Sequence, residues 1–417
     1  MSDQRTPLVL VAGWSSATDA AARSLLGEGT VLVHHDSSRL SEGVVHRTVT
    51  GADGIPRVSI LELAHGCVSC TLREDLLPLL RRLHTHSWVR RIVLHLDRAL
   101  EPEALCWAVQ HVEVTGVIGQ IDGPAARDVR IEAVITCIDA DTWLDDATGD
   151  DTLTDRAVIA DDDERTVAQV VVGQVDYADA LLVSGRAEDG WQQAKLHAAL
   201  VRLAPGVPID WVADAAGVDA ERLLARVPAT ARRGAITDAH SPLLRGQPPL
   251  PADCGVTLVE FTANRPFHPQ RLHEAIDVLL DGVVTARGRV WSATSPEHVL
   301  WLESAGGGLR VAEAGRWLAA MSPEQQETVP VERRAMAALR WDDRFGDRDT
   351  SLVVLAHAAD PTDIERALQW ALVTDEELDR EDEWPSWSDP FGQWHEDPCD
   401  NEDTASQFSE INREDTA

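Results

Sequence analysis

The strongest chemical signal in the chain is Cys67-x-x-Cys70, in the segment HGCVSCT. Two thiolates at this spacing converge on one edge of a tetrahedron and can pinch a zinc ion, whereas a closed site takes about four ligands. His65 is the nearest third donor, and His395 with Cys399, spaced H-x-x-x-C, would complete a four-ligand set of three thiolates and one imidazole. The bland alternative is a structural turn with two reduced thiols. A second chemistry is suggested by Gly13, which follows an apolar run near the N-terminus where a phosphate-binding loop would sit. Such a loop needs glycines for close backbone approach, a lysine for the β and γ charges, and Ser or Thr for magnesium. Laying G-x-x-x-x-G-K-[ST] on residues 13–20 keeps the first glycine but puts Thr18, Asp19 and Ala20 at the other defining positions. Lys195 is the only lysine of the chain and lies in a distant helix-like segment, WQQAKLHAAL.

Other residues read more plainly. His84 and His86 close a helix-like segment, where imidazoles suit the negative end of the helix dipole. Cys106 and Cys137 fall within apolar patterns and read as small buried hydrophobes. Asp97, beside Arg98, reads as a salt-bridged surface residue. Gly306, Gly307 and Gly308 read as a tight hairpin turn rather than a phosphate loop. Residues 265–269, RPFHP, read as a helix entry. No Ser-His-Asp or Cys-His nucleophile arrangement stands out.

These residues need a scaffold, and the pattern supplies one. Continuous apolar runs at 8–12, 30–34, 91–96, 133–138 and 180–183 suit strands buried on both faces. Helix-like stretches at 72–84 and 187–203 alternate with them, so the first part reads as a mostly parallel α/β sheet. Residues 145–165 read as a solvated acidic loop. Pro and Gly mark residues 231–255 as a linker. Beyond it, strands at 256–261, 288–292 and 353–357 and helices at 270–280 and 363–371 suit a smaller α+β domain. The expected organisation is therefore 1–230 α/β domain, 231–255 linker, 256–373 α+β domain and 374–417 acidic tail.

Charge bounds the partners. Thirty-seven Lys and Arg against 70 Asp and Glu leave −33 over 417 residues, which opposes broad binding to nucleic acid or anionic membranes. Direct RNA contact would be local, through Arg81-Arg82, Arg90-Arg91 or Arg232-Arg233. No run approaches the roughly 20 apolar residues of a membrane span, and six cysteines are too sparse for a disulfide scaffold. The expected compartment is the cytoplasm.

The segment HGCVSCTLREDLL (65–77) resembles the metal motif of the CobW family of metallochaperone GTPases. VITCIDA (134–140), Gln174 with ADALLV (178–183), RPFHPQRL (265–272) and RGRVW (287–291) resemble later landmarks of the family. The resemblance implies a P-loop-NTPase-like domain followed by a CobW C-terminal domain. It departs at the chemistry: Ser69 replaces a cysteine, Ser184, Gly185, Arg186 and Ala187 replace the guanine-reading Asn-Lys-x-Asp, and His95, Leu96, Asp97 and Arg98 replace a Glu-Thr-Ser-Gly. ELAHGCVSCT (62–71), LLPLLRRLH (76–84), ALEPEALCWAV (99–109), WLESAGGGLRVA (301–312) and DPFGQWHEDPC (389–399) resemble an actinobacterial branch associated with ribosome hibernation. That branch implies a recruiting protein that docks a hibernation-promoting factor on the small ribosomal subunit under zinc limitation. Zinc at Cys67 and Cys70 is the implied cofactor, and GTP is not expected. The chain then reads as a binding protein rather than an enzyme; the alternative is a GTP-dependent zinc metallochaperone.

Overall fold

Alternation along the first strand sets the layers of the first unit. Leu8, Leu10 and Ala12 enter one hydrophobic core, while Val9 and Val11 enter another on the opposite face. A strand buried on both faces belongs at the centre of a sheet covered by helices. The computed structural model describes residues 3–62, 71–156, 158, 163–186 and 189–391. It divides into two units, Met1–Ile236 with Gly246–Pro249 and Thr237–Arg245 with Leu250–Ala417.

The first unit contains β1 (Thr6–Gly13), β2 (Thr30–Asp36), β3 (Val44–Thr50), β4 (Pro56–Glu62), β5 (Arg91–His95), β6 (Glu113–Val114), β7 (Gly123–Pro124), β8 (Val129–Asp139), β9 (Ala180–Ser184) and β10 (Ile209–Val212). Its main sheet runs β10-β9-β8-β1-β5-β2-β3-β4. The strands from β10 to β2 pair in parallel, and β3 and β4 extend the sheet as an antiparallel hairpin. Helices Leu77–His84 and Pro102–His111 contribute to the first core, and Thr18–Ser24 and Ala220–Leu224 to the second. This is the α/β architecture with a mostly parallel sheet that the apolar runs predict. β3 and β4 escape the sequence reading because their half-exposed residues mix polar and apolar side chains. Residues 145–165 are not simply a solvated loop: helix Trp143–Thr148 overlaps them, and Leu153 is buried.

Arg81 is inside the first unit. It pairs with Asp128 at 2.6 Å and donates to the carbonyls of Val114, Ile121 and Gly123, which ties the β6–β7 ribbon to its helix. Arg232 lies over the Tyr177 ring at 4.0 Å, and the Arg233 backbone N–H donates to Asp179 at 2.9 Å. Arg81 and Arg232 therefore serve the fold rather than a surface patch. His84 Nδ1 meets Thr6 Oγ1 at 2.9 Å.

The second unit is a five-stranded antiparallel sheet of β11 (Thr257–Ala263), β12 (Val283–Val290), β13 (His298–Ala305), β14 (Gly308–Arg316) and β15 (Thr350–Ala356), ordered β11-β15-β12-β13-β14. Helices Pro269–Ala275 and Pro361–Ala371 share its core. The β13–β14 connection is a tight hairpin, with Gly306 at φ +48°. Gly288 permits the β12–β15 contact, because a Cβ there would fall 2.0 Å from the Ser351 carbonyl oxygen.

The acidic stretch from Thr374 begins as folded chain. Thr374 and Glu377 form a reciprocal cap on helix Asp375–Leu378, and Glu377 accepts an ion pair from Arg271 at 2.6 Å. Trp384 is buried against Trp291 and donates its Nε1–H to the Glu377 carbonyl. Residues 389–391 are the last that the structure describes. Among the described residues no helix is long and apolar enough to cross a membrane. Replacing a buried tryptophan by alanine typically costs about 3–5 kcal/mol. Trp384→Ala is expected to destabilise the protein by that order in urea unfolding; a change under about 1 kcal/mol, as for a surface side chain, would show that the segment merely rests on the sheet.

Candidate functional site

In parallel α/β sheets, ligands bind beyond the carboxyl ends of the strands where the strand order reverses. Here that place lies around β1, between β5 and β8. β1 ends at Gly13, with φ +135°, and a Cβ there would fall 2.1 Å from the Cys137 carbonyl oxygen of β8. Only glycine lets the two backbones meet so closely.

The loop that follows is tied to the protein by its own side chains. Ser15 Oγ lies 2.5 Å from Ser184 Oγ at the end of β9 and accepts the Ala17 N–H at 3.0 Å. Thr18 Oγ1 donates to the Ser15 carbonyl at 2.7 Å. Trp14 Nε1 donates to the Arg98 carbonyl at 2.8 Å, and the Arg98 guanidinium lies 5.8 Å from the indole centroid. Asp19 pairs with Arg23 at 2.6 Å in a pair that is 55% exposed on both sides, an exchangeable surface contact.

On the other side of β5, Asp97 accepts the backbone N–H groups of Ser37 and Ala99, each at 3.1 Å. Its carboxylate thus fastens two turns, where the sequence suggests a surface salt bridge. A cavity of about 10 Å³ lies beside it, lined in part by His35, Ser37, Thr71 and Asp97. His35 Nε2 meets Asp75 Oδ2 at 2.8 Å, and Asp75 also pairs with Arg47. A carboxylate that orients an imidazole leaves the opposite nitrogen aimed; here that atom, Nδ1, is buried without a partner. The π-helical turn Thr71–Leu76 carries Asp75 into helix Leu77–His84. Single π-turns of this kind often accompany functional sites. Local pattern does not mark the His35–Asp75 pair, whose residues are 40 positions apart; the run His34-His35-Asp36 at a strand end is its one trace in the sequence.

The fate of the predicted ligands is mixed. Cys67 and Cys70 lie outside the described residues, as do His65, Ser69, His395 and Cys399. Cys106 and Cys137 are buried as expected, and burial pushes both thiols up to about 12, which keeps them protonated and poor at binding metal. Among the described residues, no three His, Cys, Asp or Glu side chains gather as a metal site.

The fold is a P-loop GTPase-like α/β domain followed by a smaller sheet domain. The chain belongs to the CobW family: residues 30–206 match the nucleotide-binding domain of CobW/HypB/UreG, and residues 256–372 match the cobalamin synthesis protein cobW C-terminal domain. It is 49% identical over 410 residues, 97% of this chain and 98% of the relative, to a Mycobacterium tuberculosis protein named a zinc chaperone. It is 25% identical over 378 residues, 86% of this chain and 76% of the relative, to the zinc-regulated GTPase metalloprotein activator 1 of Dictyostelium discoideum. A crystal structure of the Zn(II)-bound YjiA GTPase from E. coli covers 88% of this chain and 99% of its own, at 13% identity and a TM-score of 0.36; that likeness says nothing about the site.

These relatives overturn the expectation that the chain recruits a ribosome hibernation-promoting factor to the small subunit. A near full-length relative at 49% identity carries a zinc-chaperone name, which stands with the metallochaperone alternative. The error has a physical source: much of the matching sequence serves the scaffold, as Leu77, Leu80 and Arg81 in the 76–84 segment do, and a shared core does not specify a partner.

His34 and His95 stack at 4.4 Å, and the His34 Nδ1 lies 3.0 Å from the His95 carbonyl. Burial, and secondarily the His34 charge, push His95 down to about 4. The native state therefore holds His95 neutral, while the unfolded chain takes up the proton near the ordinary 6.5. The stabilisation is complete above that value and is lost as pH falls from about 6.5 to about 4, by up to about 3 kcal/mol. His95→Gln is expected to flatten that acid limb for β1 and β5, read by hydrogen exchange against pH; an unchanged slope would show that His95 titrates alike in both states.

Proposed function

We propose that this protein is a zinc metallochaperone, taking zinc on the Cys67 and Cys70 thiolates and passing it to a client protein. The observation that carries the reading is CobW membership over both domains together with the near full-length relative named a zinc chaperone. The chemistry suits transfer. Two thiolates from one short segment leave about half of a tetrahedral shell to other donors, so a client can add its ligands before the thiolates leave. The ion then moves by exchange of bonds without release to water. Cys106 and Cys137, protonated and buried, do not compete for it.

The same reading takes the nucleotide motifs as degenerate. A phosphate loop needs its lysine cation and its magnesium-binding hydroxyl, and these positions hold Asp19 and Ala20. Ser15 and Trp14 already have protein partners, and Asp19 would set negative charge against phosphate. Fluorescent GTP titrated with magnesium is expected to show no saturation below millimolar concentration. Asp19→Lys with Ala20→Thr is expected to tighten binding at least tenfold. Micromolar affinity with turnover in the unaltered protein would overturn this half of the reading.

Elemental analysis tests the zinc half. The zinc-loaded protein is expected to hold the metal through dialysis and to yield it to a chromogenic chelator. Cys67→Ser and Cys70→Ser are each expected to lose most of the bound zinc. Equal zinc in the wild type and Cys67→Ser would remove these thiolates from the proposal.

A further inference from the structure

A group of buried donors in the second unit has no protein acceptor. Arg289, on β12, is 2% exposed. Its Nη1 donates to the carbonyls of Ala239 at 3.0 Å and Ser241 at 3.3 Å, and its Nε lies 3.5 Å from Asp349 Oδ1. Its Nη2 has no partner. On the helix Val331–Ala338, Arg333 gives Nη2 to the Arg316 carbonyl, and its buried Nε is likewise unpartnered. So are Trp317 Nε1 and His240 Nε2. These four side chains line one cavity of about 20 Å³ with Arg340 and Asp349.

The charges around the cavity are loosely paired. Arg289, Arg333 and Arg340 bring three cations. Asp349 is shared by Arg289 and Arg340, each at 3.5 Å, longer than the roughly 2.7–2.9 Å of a strong charge-assisted hydrogen bond. Asp347, the other acid of the lining, is committed to the backbone N–H groups of Leu318 and Ala319 at 2.9 and 2.8 Å. Burial, with Arg333 and Arg289 beside it, pushes His240 down to about 4, so it is neutral at pH 7. Burial also pulls Arg289 and Arg333 below the ordinary guanidinium value. Asp238, outside the lining, accepts from the His240 N–H and the Ser241 hydroxyl and also acts on Arg289 and Arg333, so acids and cations balance in number while the two guanidiniums keep open donors. Water can satisfy an orphaned N–H, but it cannot neutralise a buried guanidinium, whose desolvation is costly without a counter-charge. The guanidinium fork is shaped for two oxygens of one group.

We propose that this cavity binds a small oxyanion, the carboxylate or phosphate group of a ligand, held by Arg289, Arg333 and Trp317. Its volume, about that of one or two waters, excludes a nucleotide base. In a chain of charge −33 this is a local cluster of guanidinium donors, suited to an anion that offers few other charges to be repelled.

Isothermal titration of the full chain with inorganic phosphate, and separately with acetate, at matched ionic strength in chloride tests the site. Saturable one-to-one binding in the millimolar range or tighter is expected for at least one probe. Arg333→Gln is expected to weaken it at least tenfold. Asp349→Asn removes the competing carboxylate and is expected to tighten it, a gain that misfolding does not produce. Tighter binding of phosphate than acetate assigns the site to a phosphate group; the reverse assigns it to a carboxylate such as a peptide's. No saturable binding of either probe by the folded wild type would overturn the proposal, as would binding that both substitutions leave unchanged.

Discussion

The close approach of β1 to β8 at Gly13 is the constraint on which the candidate site depends. β1 is buried on both faces, so its path is set by two cores at once. At its end the backbone passes the Cys137 carbonyl with no room for a side chain. That contact fixes where the loop of residues 14–17 starts, and Ser184, at the end of β9, and Arg98, just past β5, receive it. The loop is therefore held from both sides by the ends of β5 and β9. Its position is inherited from the sheet, and its chemistry comes from the few side chains that line it.

Two deeply buried arginines, one in each unit, are satisfied to different degrees. In the first, Arg81 reaches three carbonyls and a carboxylate, so a guanidinium that is 1% exposed is fully engaged. In the second, Arg289 is about as deeply buried but keeps an open valence toward a cavity. A satisfied buried cation rigidifies a fold, and an unsatisfied one leaves a costly open donor. The difference turns on acceptors brought from far along the chain.

Much of the architecture was legible from local pattern. The apolar runs mark five of the parallel strands because strands buried on both faces have no polar alternation to obscure them. The hairpin β3–β4 was not legible, since a half-exposed edge carries Arg57, Ser59 and Glu62 among its apolar residues. Residues 374–387 look like acidic tail by composition, yet Leu378 and Trp384 are buried, and the acids of the segment face water or pair with Arg265, Arg271, Arg344 and Arg380. Motif likeness showed the family and misled on the function. Core and turn residues respond to packing, whereas a partner is chosen by exposed chemistry that a shared scaffold leaves free to differ.

The sequence by itself determined the two-domain order, the central parallel strands and the Cys67-x-x-Cys70 pair. These are properties of residue type and spacing, and they need no knowledge of what lies opposite. Tertiary structure alone decided that Ser15 meets Ser184, that Asp75 orients His35, and that Arg289, Arg333, Trp317 and His240 share a cavity. Each of those contacts joins residues separated by tens of positions or more. Charge balance and hydrogen-bond satisfaction are sums over such neighbours, so they exist only once the chain has folded.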